Sequence, residues 1–258
     1  MTKASQLTAQ LYSLRDFLKM PADIEVTLKR VRKIGYENVQ LSGIGPIEPA
    51  ELKRLLDQAG LLAVGHHTSL QTLRDNLAGL IKDLQLWGCR YTAVAYLGAE
   101  ERQNGAAWKA RAKEMTRFGK LLRKEGITLQ YHNHSFEMQR FGGMTGLEIL
   151  YANSDPRYLQ AEIDTHWIAR GGGDPAEWCA CLKGRLDQVH LKDASMLNDQ
   201  PIFAEIGEGN LNWPAILKAC KQSGVKHYIV EQDSCPITND PFKSLAISYK
   251  NLRLMGLR

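Results

Sequence analysis

The 258-residue sequence predicts an α/β fold, a single (β/α)8 barrel formed by residues 1–258. Three observations carry that prediction. Short β-branched or apolar runs alternate with helical stretches eight times without a break, the pattern of parallel strands joined by crossover helices. About 250 residues is the usual size for closing eight such units into one barrel. No glycine-rich phosphate fingerprint follows the first strand, so an open doubly wound sheet has little support.

The elements follow in order along the chain. Leu7–Tyr12 reads as the first strand, and residues 22–34 as a helix with apolar positions at Ile24, Leu28, Val31 and Ile34, ended by Gly35. Residues 38–41 form the second strand, and residues 49–59 a helix stopped by Gly60. Residues 61–65 form the third strand, running into His66-His67, followed by one long helix over 70–86. The fourth strand covers 91–96, the next helix 106–124, and the fifth strand starts at Gly126 and leads into Tyr131-His132-Asn133-His134-Ser135-Phe136-Glu137-Met138. A short helix over 146–152 precedes the sixth strand at 159–163. Asp174-Pro175 and Asn212-Trp213-Pro214 each pair an N-cap with a first-turn proline, opening helices on either side of the seventh strand, 187–191. The eighth strand, 227–230, and a helix over 241–254 close the pattern.

With 44% hydrophobic and 24% charged residues, the composition is that of an ordinary globular protein. The net charge of +5 is dispersed, and the densest basic stretch, Lys109 to Lys124, reads as a solvated helix face. Neither a nucleic-acid nor a membrane partner is expected. The five cysteines lack paired metal-type spacing, and the N-terminus lacks a signal-peptide core, so a reduced, cytoplasmic setting is the expectation.

Chemistry collects at the strand ends. Six of the seven histidines (His66, His67, His132, His134, His166 and His190) fall at C-terminal strand ends, the face on which barrels of this kind carry their sites. Asp164, Lys192, Glu137 and Glu231 fall there too, with His166 expected on the face of Asp164. Buried acids facing one another repel unless a cation lies between them, so carboxylates and imidazoles from different strands suggest a mixed oxygen and nitrogen metal site. Glu162 is expected to face outward, Glu177 and Glu205 to be solvated, and Lys192 with Asp193 to be open to reading as a plain loop ion pair.

The runs Tyr131–Glu137, Glu162–Trp167 with Gly171-Gly172-Gly173-Asp174-Pro175, Val189–Asp193, Gly207-Glu208-Gly209 and Val230–Asp233, together with Gln10–Arg15, resemble the sugar phosphate isomerase/epimerase family. The resemblance covers nearly the whole chain and implies a xylose-isomerase-like TIM barrel. It also implies a divalent ion, with Mn²⁺ expected and Mg²⁺, Co²⁺ or Zn²⁺ as substitutes. By position, Asp164, His190 and Glu231 match ligands on strands six to eight. The strand-five ligand is assigned to Glu137, with His132 as its substitute. Gln40 departs from the family, many of whose members carry a glutamate at the end of strand two.

The expected activity is metal-dependent isomerisation or epimerisation of a sugar or keto-sugar, beginning with proton abstraction beside a carbonyl. A dehydratase or lyase acting on a 3-keto sugar or an inosose starts the same way; an abasic-site endonuclease on the same fold and a non-catalytic sugar-binding barrel are more distant readings. Catalytic roles fall to Glu137, Glu231, His134 and Lys192, and substrate contacts to His67, His132, His166 and Glu208. The loops after strands seven and eight, Gly207-Glu208-Gly209 and Asp233-Ser234-Cys235, make a poor phosphate cradle, so an unphosphorylated substrate is expected. A homodimer is plausible for the fold.

Overall fold

The computed structural model describes residues 5–258. Eight parallel strands close into a barrel: β1 (Leu7–Gln10), β2 (Asn38–Leu41), β3 (Leu62–Thr68), β4 (Tyr91–Val94), β5 (Thr128–His132), β6 (Leu159–Asp164), β7 (Gln188–Leu191) and β8 (His227–Val230). Each strand pairs with its sequence neighbours, and β1 closes the ring against β8. The expected barrel is the observed one.

The strands alternate in a way that explains their mixed sequences. Leu129 and Tyr131 of β5, Ala161 and Ile163 of β6, and Val189 and Leu191 of β7 belong to the apolar core beneath the helices. The intervening residues face the lumen, and there the barrel is polar: Gln10, Gln40, Gln130, Glu162, Gln188 and His190 are all fully buried. Buried polar groups persist where they find hydrogen-bond partners: Gln130 and Gln188 donate to the carbonyls of Ala161 and Val64, and the others bond to one another. Gln10 Nε2 donates to Gln40 Oε1 at 2.5 Å, and Gln40 Nε2 to Glu162 Oε1 at 2.6 Å. Gly65 is the gap that admits this layer, since a Cβ there would lie 2.8 Å from Gln40 Nε2 and 3.1 Å from Gln188 Oε1.

Helix limits follow local signals closely. Pro49–Ala59 ends at Gly60 and Trp213–Ser223 at Gly224, both glycines in the left-handed conformation. Four features depart from expectation. β1 stops at Gln10 and passes into a 3-10 helix, Leu11–Phe17. The long helix is two, Leu70–Asp75 and Leu77–Trp87, because Asn76 leaves the helical conformation and caps the second through Gly79 N–H. β6 runs directly into a helix, Thr165–Arg170, capped by Asp164 itself, whose carboxylate accepts from Trp167 N–H at 3.0 Å. After β7 an antiparallel hairpin, Asp193–Leu197 with Gln200–Ala204, turns through Asn198 and Asp199, both at positive φ.

Asp193 anchors that hairpin's return. It is fully buried, and its carboxylate accepts from the amides of Gly207, Gly209 and Leu211 and from Trp213 Nε1. The Gly207 and Gly209 amides therefore serve an internal anion, while the Glu208 amide donates to Glu205 O. The structure corrects the reading of Lys192 and Asp193 as a loop ion pair: as consecutive residues they point to opposite sides.

Close approach of a helix to the β6 approach segment gives a test. A Cβ on Gly119, inside helix Gly105–Lys124, would collide with the carbonyl oxygen of Tyr158. Glycine to alanine ordinarily stabilises a helix interior by about 0.5–1 kcal/mol. Here the collision should win, so Gly119→Ala should lose about 1–3 kcal/mol in denaturant unfolding. A gain in stability would show that the helix can move away freely.

Candidate metal centre and pocket

His132 ends β5, Asp164 ends β6, His190 lies on β7 and Glu231 follows β8. Each offers a ligand atom within 4.8 Å of the others, and all four residues are buried. The register puts them there, since Asp164 pairs with His190, and His190 with Ile229, two residues before Glu231 on the same face. Two of the four, His132 and Glu231, line a cavity of about 430 Å³ that is also walled by Tyr12, Arg15, His67, Tyr96, His134, Trp167 and Phe203, and Asp164 and His190 lie behind them. The hairpin after β7 brings Phe203 over this mouth.

Lys192 dominates the electrostatics. Its side chain is 1% exposed, and its ammonium lies 2.9 Å from Glu231, 3.0 Å from Asp233 and 3.1 Å from Asp164. Burial opposes its charge, but the carboxylates of Asp164, Glu231 and Asp233 outweigh it and hold the lysine above its ordinary range. His190 is the second cation. Its Nδ1 lies 2.7 Å from Glu231 Oε2, and its Nε2 2.7 Å from Gln40 Oε1 and 3.3 Å from Glu162 Oε2. Against burial, Glu162 and Glu231 raise it to about 10. Asp164 moves the other way, because burial lifts it to about 6 despite Lys192 and His190.

The structure corrects the expected orientation of Glu162, which is fully buried and faces the lumen. Its carboxylate lies 2.8 Å from His67 Nε2, and against burial His190 and His67 hold it down to about 2. Residues two apart on a strand share a face, so Glu162 stands directly below Asp164. Glu205, expected in solvent, is 1% exposed and bonds Gln232 and Ser244.

Glu137 takes a different place from the one assigned to it. The short turn Phe136–Met138 folds it back beneath β5, where Oε1 meets the Tyr131 hydroxyl at 2.7 Å and Oε2 accepts from His134 N–H at 2.9 Å. Its carboxylate is absent from the converging donors, and His132 stands where a strand-five ligand is needed. His166 is carried off the Asp164 face by the new helix, stacks 4.1 Å from Phe203 and places Nδ1 3.0 Å from Asp193 O. Glu208 is exposed and bonds Asn251, away from the pocket. His67 and His134 do line the pocket. The neighbours His66 and His67 split across β3: His66 meets Thr92 and Trp87, while His67 stacks 5.2 Å from His190.

A model of the family described as "Xylose isomerase-like TIM barrel" matches residues 28–244. The chain belongs to that family. It is 25% identical to the rhizopine catabolism protein MocC of Rhizobium meliloti over 278 aligned positions, covering 90% of this chain and 82% of the relative. The inosose dehydratase of Salmonella typhimurium is 23% identical over 220 positions, 71% of this chain and 72% of that one. Among solved structures, a sugar phosphate isomerase/epimerase from Parabacteroides distasonis superposes with a TM-score of 0.81 at 23% identity, covering 99% of this chain and 96% of its own.

The residues present suit a divalent ion. Two carboxylates and two imidazoles form a donor set of the kind that Mn²⁺, Co²⁺ and Zn²⁺ accept. His132 Nδ1 is buried without a hydrogen-bond partner among the described residues, and Asp164 Oδ2 has no bond there beyond its 3.1 Å ion pair with Lys192. His132 Nε2 lies 3.9 Å from Asp164 Oδ2, too far for a hydrogen bond but close enough to share an ion. The second convergent group, His67, His132, Glu162 and His190, is largely satisfied internally, with Glu162 bonded to both His67 and Gln40.

Glu137 supplies a pH test. Burial lifts its carboxyl to about 8 from 4.5. The native state therefore holds a proton that the unfolded chain has lost between those values, and its contribution to stability fades as pH rises through 8. Glu137→Gln keeps both hydrogen bonds without the ionisation, so its Tm should fall less than that of the parent between pH 7 and 9. Parallel pH profiles would contradict the buried, neutral carboxyl.

Proposed function

We propose that the chain is a divalent-metal-dependent enzyme that removes a proton beside the carbonyl of an unphosphorylated keto-sugar or cyclic polyol ketone and then eliminates water. The observation that carries this reading is the convergence of ligand atoms from His132, Asp164, His190 and Glu231 at the base of the pocket that His132 and Glu231 line. These four would hold the ion, with His132 in the strand-five position in preference to Glu137. When bound, the ion would lower the cost of negative charge on a substrate oxygen.

The side chains divide the remaining work. His67 lines the pocket and has its Nε2 fixed 2.8 Å from Glu162, the arrangement of a base oriented by a carboxylate. Lys192 directly follows β7, diametrically opposite β3 in the eight-stranded order, and sets a fixed positive charge against charge that develops on the substrate. His134 lines the pocket between Tyr96 and Trp167, and burial lowers it to about 3. It is neutral at pH 7 and positioned to hydrogen-bond a departing or recognised hydroxyl, and the proton that His67 takes from carbon leaves on that hydroxyl as water.

Elimination is favoured over epimerisation by the partners available. Epimerisation requires an acid on the opposite face that returns a proton to the same carbon. Here Lys192 is held too firmly as a cation by three carboxylates to release its proton, and His134 is unprotonated at neutral pH. The relatives named inosose dehydratase are consistent with that choice. An unphosphorylated substrate fits the cations too: Lys192 is spent on three carboxylates, and the Arg15 guanidinium on the carbonyls of Tyr12 and Asp233.

The test is turnover of an inosose and of free ketoses by the Mn²⁺-loaded protein, followed by NMR in D₂O. Deuterium entering beside the carbonyl together with loss of water is expected. Exchange without water loss would move the assignment to isomerase or epimerase, and no exchange with any ketone would overturn it. The ligand assignment has its own check. His132→Ala and Asp164→Ala should each lose most of the bound metal, whereas Glu137→Gln should retain it. The reverse pattern would return Glu137 to the ligand set.

A further inference from the structure

A second cavity, of about 520 Å³, opens beside the pocket and shares His67, Ala95 and Tyr96 with it as a common wall. Its remaining lining comes from the end of β3 and the two helices broken at Asn76. None of the steps described above uses it.

Its lining has a definite chemistry. Trp87 is half-buried and held in place by Nε1–H donating to Pro49 O at 3.0 Å, which leaves an aromatic surface along the cavity. Asp83, four residues earlier on the same helix, lines the cavity half-buried, with no hydrogen bond or ion pair among the described residues. Thr68 is 8% exposed and lines the same cavity, and its Oγ1 is buried without a partner among the described residues. A buried hydroxyl left unbonded is costly, and a ligand group is the simplest partner for it.

Charge narrows the ligand. No lysine or arginine lines this cavity, so the Asp83 carboxylate has no counter-cation and would repel a phosphate or a carboxylate. A neutral polyhydroxylated ring meets every requirement. Its C–H face covers the indole, one hydroxyl donates to Asp83, and another bonds Thr68 Oγ1 once that side chain turns its buried hydroxyl into the cavity.

We infer that this annex is a subsite for a second, neutral sugar ring. The substrate is then a two-unit glycoside whose keto ring lies over the His132, Asp164, His190 and Glu231 floor. The inference rests on the function proposed above for its reaction but not for its binding. A substrate joined to a second ring also admits loss of that ring, in place of water, as the elimination step.

The experiment measures binding, so it separates the two claims. Maltose, cellobiose and glucose are titrated calorimetrically into the Mn²⁺-loaded full chain and into Asp83→Asn and Thr68→Val variants. At least one disaccharide should bind the parent about tenfold more tightly than glucose, and Asp83→Asn should erase most of that advantage while leaving glucose unchanged. Equal affinities for glucose and both disaccharides, failure of both disaccharides to bind, or the same loss for glucose as for disaccharide in both variants would overturn the subsite. Deuterium exchange into an inosose, measured on the same proteins, reports separately on the proposed reaction and should be unaltered in Asp83→Asn.

Discussion

The mouth of this barrel encloses four carboxylates, Glu162, Asp164, Glu231 and Asp233, which among the described residues share two cations, Lys192 and His190. Like charges in a poorly solvated space repel strongly, and a buried charge left without its partner typically costs about 3–5 kcal/mol. The arrangement persists because Lys192 bridges the ends of β6, β7 and the segment after β8, while His190 joins Glu162 below to Glu231 above. Two negative charges remain in excess after that neutralisation. A divalent ion at the floor would displace the His190 proton and reduce that excess from two charges to one, which ties the candidate function to the same constraint that holds the strand ends together.

Beneath the floor, the lumen layer supplies rigidity. Gln10, Gln40 and Glu162 form a chain of hydrogen bonds that ends on His67 and His190. The imidazoles that face the pocket are thus oriented from behind, the role outer partners play in metal and base catalysis. Gln40 occupies the place where many relatives carry a glutamate. An amide there bonds Glu162 without adding a fifth negative charge to a site already carrying too many. The departure noted in the sequence therefore fits the electrostatics of this chain.

Elements governed by local signals were legible in the sequence. β2 and β8 and the helices bounded by proline and glycine lie where the residues predict, because caps and breakers act over a few positions. The period of two along β6 was also enough to place Glu162 beside Asp164, although the outward reading overlooked it. The break at Asn76 and the turn at Asn198-Asp199 carried recognisable residue types as well. Direction after a strand ends was not legible. Whether Glu137 or His132 faces the floor depends on a three-residue turn, and whether His166 follows Asp164 depends on Asp164 capping a helix instead of extending a strand. Both outcomes are set by tertiary partners, Tyr131 in one case and Asp193 with Phe203 in the other, which lie far from any local pattern.

The central claim is that a cation completes this buried acidic floor through His132 and not through Glu137. Anomalous diffraction from crystals soaked in Mn²⁺, recorded on both sides of the manganese absorption edge, tests it most directly. The account predicts one strong anomalous peak bonded to His132, Asp164, His190 and Glu231, with Glu137 still turned toward Tyr131. A peak bonded to Glu137, or a floor that remains free of manganese at saturating metal, would contradict it.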